Sequence, residues 1–164
     1  MPILASAGSA YEPPPAGLHL AVCIDVVDMG QIEVTWQGKT TKRHKVRVVW
    51  QIDALRDDGT PFYIQKRYTL SLHEKANLRG DLESWRGKAF TQDELQGFDL
   101  EKLIGVNCQL NTQHVSKDGT VYANVSGVVP LAKGQEKLVA AAYIRVKDRR
   151  EPEEEVVDDE DIPF

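Results

Sequence analysis

The sequence predicts a mainly β fold, a five-stranded barrel with a helical insert between its third and fourth strands. Three observations predict it. Apolar residues alternate with period two over residues 18–70 and again over residues 106–129, the signature of half-buried strands. Between these blocks the period lengthens to that of a helix, with Leu78, Leu82 and Trp85 at helical intervals. Turn signals, Arg56-Asp57-Asp58-Gly59-Thr60-Pro61 and Lys117-Asp118-Gly119, divide the strand blocks into hairpins.

Residues 1–16, with Pro13-Pro14-Pro15 and little periodicity, read as a flexible N-terminal arm. The first strand carries Leu20, Val22, Ile24 and Val26 on one face and is expected to end near Asp28-Met29-Gly30. A polar loop, Gln37 to Arg43, leads to a second strand from about Lys45 to Asp53. Val46, Val48, Trp50 and Ile52 share its core face, and Lys45, Arg47, Val49 and Gln51 share the other. The third strand, Phe62 to Leu70, points Tyr63, Gln65 and Arg67 outward and Phe62, Ile64, Tyr68 and Leu70 inward, with Lys66 interrupting the inner face. Ser71-x-x-Glu74 has capping-box spacing and predicts a helix over residues 72–86; Thr91-x-x-Glu94 predicts a second short one. Leu100, Leu103 and Ile104 suit a third helical turn. Strand four is expected over Val106–Val115 and strand five over Val121–Val129. Three strands, a helical insert and two strands is the element order of the OB-fold, a five-stranded Greek-key barrel, which is favoured here over an SH3-like barrel because of the size of the insert. The domain occupies residues 17–131. Residues 132–150 are a basic linker or an extra element, and residues 151–164 are an acidic tail whose charge density predicts disorder.

Charge is unevenly distributed. The net charge of −5 combines 20 Lys and Arg with 25 Asp and Glu, yet eight of the acids and none of the bases lie in residues 151–164. Residues 1–150 are therefore mildly basic, a pattern that suits a polyanion binder with an acidic appendage. Cys23 and Cys108 sit far apart in apolar stretches and read as buried free thiols of a reducing compartment. With neither a signal sequence nor a membrane-spanning segment to be read, the expected location is cytoplasmic.

Barrels that hold single strands combine a basic groove with aromatic platforms, because each base offers a π-face and each nucleotide a phosphate. The candidates are Trp36, Lys39, Lys42, Arg43, Lys45 and Arg47 around the β1–β2 connection; Tyr63, Lys66, Arg67 and Tyr68 on strand three; and Lys117 and Tyr122 around the last hairpin. Trp36, Tyr63 and Tyr122 are the stacking candidates, with Tyr68 added although its alternation is that of the core; Trp50 and Trp85 read as core. Stacking and phosphate contacts read little base identity, so weak sequence specificity is expected. Phosphate-loop, dinucleotide and His-Glu-x-x-His motifs are absent, and His19, His44, His73 and His114 are scattered. The expectation is a protein that is not an enzyme and needs no cofactor or metal.

The final residues, Asp158-Asp159-Glu160-Asp161-Ile162-Pro163-Phe164, set an acidic run against an apolar end. Ile162 and Phe164 suit a pocket, Pro163 stiffens the backbone, and the carboxylates steer towards bases. This ending resembles the C-terminal tip of bacterial single-stranded-DNA-binding proteins, with Glu160 where the usual pattern has aspartate. The resemblance implies a protein that binds and protects single-stranded DNA. It also implies that residues 158–164 recruit replication, recombination or repair proteins. The N-terminal strand motif of the cellular bacterial members is missing, which points to a divergent or bacteriophage-encoded relative and leaves the tetramer of those members unsupported; a dimer or other homo-oligomer is the expectation. The tail is also expected to compete with DNA for the basic groove. An interaction adaptor or an RNA-binding OB protein with a similar tip stays open as an alternative, as does a nuclease or recombination accessory.

Overall fold

The computed structural model describes residues 12–149. Residues 1–11 of the expected arm and the whole acidic tail lie outside the described residues. Five strands form one antiparallel sheet: β1 (Gly17–Trp36), β2 (Lys39–Leu55), β3 (Pro61–Thr69), β4 (Asn107–Lys117) and β5 (Thr120–Val129). Their order is β3-β2-β1-β4-β5. The sheet curls so that its edge strands β3 and β5 come into contact. Helices α1 (Asn77–Arg86) and α2 (Gln92–Gln96) and a 3-10 turn (Leu100–Leu103) lie between β3 and β4, as the change of period requires.

The first hairpin is longer than its sequence suggests. Strand β1 does not end at Asp28-Met29-Gly30 but runs on to Trp36, and the expected loop at residues 37–43 shrinks to a two-residue turn. The apparent stop is a bulge: the register shifts between Asp28 and Gly30, Gly30 takes a φ of 72°, and its N–H donates to Asp28 Oδ1 at 2.9 Å. At the tip Gln37 and Gly38 have φ values of 51° and 78°, the pair of left-handed residues that a tight hairpin turn needs. Asp118 and Gly119, at 50° and 80°, do the same for the last hairpin.

Helix α1 starts later than the expected residue 72. Ser71 Oγ accepts the His73 N–H at 3.1 Å, and His73 Nδ1 accepts the Lys75 N–H at 3.2 Å. These local bonds hold residues 71–75 as turns in competition with the helix, which begins after Ala76 without a side-chain cap. The Thr91–Glu94 box forms as its spacing predicts, with both reciprocal bonds present.

The core forms where inward residues of the curled sheet meet the insert. Val46, Val48, Trp50 and Ile52 are buried, as alternation on β2 predicts. Trp50 packs on Trp85 of α1 at a centroid distance of 5.9 Å, and Trp85 Nε1 donates to the Asn107 carbonyl at 3.0 Å. Ser84 Oγ donates to the Val128 carbonyl, tying α1 to β5. Both cysteines are buried and free, and burial pushes the Cys23 thiol up to about 12. No helix among the described residues is long and apolar enough to cross a membrane.

Leu110 lies at the centre of this core with no exposed surface. Its replacement by alanine is expected to lower stability by about 2–5 kcal/mol in urea unfolding, and a loss below about 1 kcal/mol would contradict this packing.

Candidate nucleic-acid interface

The outward side of β2 and β3 carries Lys45, Arg47 and Arg67. Its cross-strand pairs are Lys45 with Thr69, Arg47 with Arg67, Val49 with Gln65, and Gln51 with Tyr63. Lys45 Nζ donates to Thr69 Oγ1 at 2.9 Å. Arg47 and Arg67, directly opposed, have no ion-pair partner among the described residues, and Arg47 Nε is buried without a hydrogen-bond acceptor among them. Like charges in opposed positions repel, and a buried donor without an acceptor is costly. A bridging anion would relieve both.

Beside this pair lies a cleft of about 840 Å³ between β3 and the β4–β5 hairpin. Tyr63, Gln65 and Arg67 line one wall; Val115, Lys117, Tyr122 and Asn124 line the other, with Asp118 at the turn. Pro14 also lines it, and its carbonyl lies 2.7 Å from His114 Nε2, while the Pro15 carbonyl lies 2.8 Å from His19 Nε2. The last residues of the expected arm are thus held against the sheet. Four of the residues expected from sequence, Tyr63, Arg67, Lys117 and Tyr122, meet at this cleft from opposite sides.

Part of the outward face is covered. After β5 the chain returns as a strap: Leu138 and Tyr143 pack on Val22, Ile24 and Val49. The buried Gln51 side chain accepts the Ala141 N–H at 2.7 Å and donates to the Val139 carbonyl at 3.4 Å. The strongest tie is Asp25, which is 1 % exposed. Its carboxylate accepts from Arg145 Nε at 3.0 Å, the Tyr143 hydroxyl at 3.1 Å and the Val146 N–H at 2.9 Å. Burial pushes this carboxyl up. The Val146 N–H, then Arg145 and Tyr143, more than reverse that effect, so it stays below its ordinary value. Arg145 also grips Glu101 at 2.7 and 2.9 Å. The Tyr143 ring leans on Tyr63 at 5.6 Å and 50°, forming the boundary between strap and cleft.

The sequence reading passed over Asp25, gave the outward-facing Gln51 no role, and left residues 132–150 as a linker or an extra element. A signal was present: one carboxylate inside the apolar run Val22-Cys23-Ile24-Asp25-Val26-Val27 requires a buried partner.

The other expected residues lie elsewhere. Trp36 is 73 % exposed at the tip of the first hairpin, where Lys39, Lys42 and Arg43 are also exposed; none of the four lines the cleft. Lys66 and Tyr68 lie on the inner side of β3, where period-two alternation puts them. Lys66 Nζ and the Tyr68 hydroxyl both donate to Asp81 Oδ2 of α1, at 2.8 and 2.6 Å, and Tyr68 is buried. Residues 158–164 lie outside the described residues. No protein-family model matches the chain, and no curated protein matches it at a significant level.

Because docking lowers the Asp25 carboxyl, the contact is fully present above the ordinary carboxylate value near pH ~4 and is lost as pH falls through the lowered value. At neutral pH Asp25→Asn is expected to loosen the strap. Tryptic cleavage after Lys137 and Arg145 should then accelerate roughly tenfold or more, equivalent to about 1.4 kcal/mol of opening free energy. Unchanged cleavage would contradict the strap's dependence on Asp25.

Proposed function

We propose that the protein binds single-stranded DNA with little sequence specificity. In this reading the sheet is an OB-type Greek-key barrel. The support is its strand order, the contact between edge strands β3 and β5, and the helical insert between the third and fourth strands. Folds of that kind take oligonucleotides across strands two and three, between the loops joining strands one to two and four to five. The observation that carries the reading is the cleft, where two tyrosines and two cations from separate hairpins converge beside an arginine pair with no ion-pair partner among the described residues.

The mechanism follows from those groups. Arg47, Arg67 and Lys117 neutralise phosphates and release counterions, while Tyr63 and Tyr122 offer ring faces to successive bases. The first hairpin, with Trp36, Lys39, Lys42 and Arg43, extends the track beyond the barrel. Such contacts coat a strand and read little of its sequence. Residues 158–164 supply a separate function, recruiting replication, recombination or repair proteins through Ile162, Pro163 and Phe164 behind the carboxylates of Asp158, Asp159, Glu160 and Asp161.

Titrations with oligo-dT and with duplex DNA across a salt series test the reading. Affinity for oligo-dT should exceed that for duplex and fall steeply with salt. Tyr63→Ala should weaken oligo-dT binding by roughly 5- to 150-fold, the value of about 1–3 kcal/mol for one stacked base. Arg67→Ala should flatten the salt slope by about one phosphate contact. Equal affinity for both forms of DNA, or indifference to both substitutions, would overturn the assignment.

A further inference from the structure

A second concavity, of about 560 Å³, shares no lining residue with the cleft. It lies among α1, the 3-10 turn and the chain leaving β5. Trp85, Phe98, Val106 and Leu131 form apolar walls, and Arg86, Lys102 and Lys137 bring three cations to a lining that contains no acid. Its size is that of a ligand site.

Arg86 makes this groove more than an apolar hollow. Its Nη2 donates to both carboxylate oxygens of Glu94, at 3.1 and 2.9 Å, and its guanidinium stacks 4.6 Å from the centre of the Phe90 ring. Nη1 is buried and has no hydrogen-bond acceptor among the described residues. Apolar walls with cations and no acid in the lining suit an anion joined to apolar groups.

This chain carries such a ligand. Residues 151–164 hold eight acids and no base, and the last four acids directly precede Ile162-Pro163-Phe164. The strap has an anchor beside the groove, because Arg145 is fastened to Glu101, the sequence neighbour of Lys102, while Arg149 donates to the Tyr143 hydroxyl. The residues between Arg149 and Asp158 span up to about 30 Å when extended. A tether of that length keeps the segment at an effective concentration of about a millimolar, so modest contacts suffice to hold it.

We propose that the groove receives residues 158–164 of the same chain, with Ile162 and Phe164 against the apolar walls and the preceding carboxylates on Arg86, Lys102 and Lys137. Docking at this place does not depend on nucleic-acid binding and leaves the cleft open. It withholds the acidic segment from other proteins until one of them competes for it. The groove thereby sets how much of the segment is available.

Two-dimensional NMR on the full-length protein tests this. Phe164→Ala should shift the Trp85 indole N–H and the Gly105, Val106 and Leu131 amides, while those of Gln65 and Arg67 stay in place. The shifts should persist on tenfold dilution and shrink as salt screens the carboxylates. Val106→Glu, at a position that is 42 % exposed and thus tolerant of charge, should abolish the response to Phe164→Ala; Lys102→Glu should do the same from the rim. No shift at the groove, shifts confined to the cleft, or shifts that vanish on dilution would each overturn the proposal.

Discussion

One carboxylate, buried in the middle of a β-strand, decides how the outward face of this sheet is used. Asp25 is almost without exposed surface, and an unpaired charge there would cost several kcal/mol. Arg145, the Tyr143 hydroxyl and the Val146 N–H supply the compensation, from more than a hundred residues further along the chain. The strap is therefore no incidental appendage: the first strand is complete only when the chain after the last strand lies over it. With the strap in place, Val22, Ile24 and Val49 are covered, and the cleft between β3 and the β4–β5 hairpin stays open beside it.

The same face also carries charges that no described residue compensates. Arg47 and Arg67 oppose one another across a strand pair, while nearby Asp25 is fully engaged by the strap. Local rules of sheet stability disfavour that arrangement, and departures of this sort collect at sites that bind something. Lys66 provides the contrast. It also interrupts a strand pattern, but Asp81 meets it and the Tyr68 hydroxyl together, so that interruption is structural. What separates the two cases is whether a described residue supplies the counter-charge.

Much of this architecture was legible in the sequence because it rests on local periodicity. Alternation on β2 identified Val46, Val48, Trp50 and Ile52 as core, the Asp118-Gly119 dipeptide marked the last hairpin, and the Thr91–Glu94 spacing marked a cap. Three local signals misled. Leu20, Val22, Ile24 and Val26 read as one face, but a register shift between Cys23 and Asp25 leaves Val22 and Ile24 under the strap and Val26 in the core. Asp28-Met29-Gly30 reads as a strand end but is a bulge within β1, since a glycine with positive φ serves either purpose. Ser71-x-x-Glu74 reads as a helix start, yet its polar side chains bond to nearby backbone instead. The strap was not legible, because residues 132–149 have no periodicity and are held by partners distant in sequence. At the site, the basic and aromatic candidates divided by side of the strand and by hairpin. Tyr63, Arg67, Lys117 and Tyr122 converge, whereas Trp36 lies at a hairpin tip and Tyr68 in the core.

Under the proposed function, single strands lie in the cleft with bases on its two tyrosines. Photo-crosslinking with iodouracil-substituted oligo-dT, read by peptide mass spectrometry, tests it most directly. Adducts are expected on Tyr63 and Tyr122. Adducts confined to Trp36 or to the surface around α1, with both tyrosines unmodified, would contradict it.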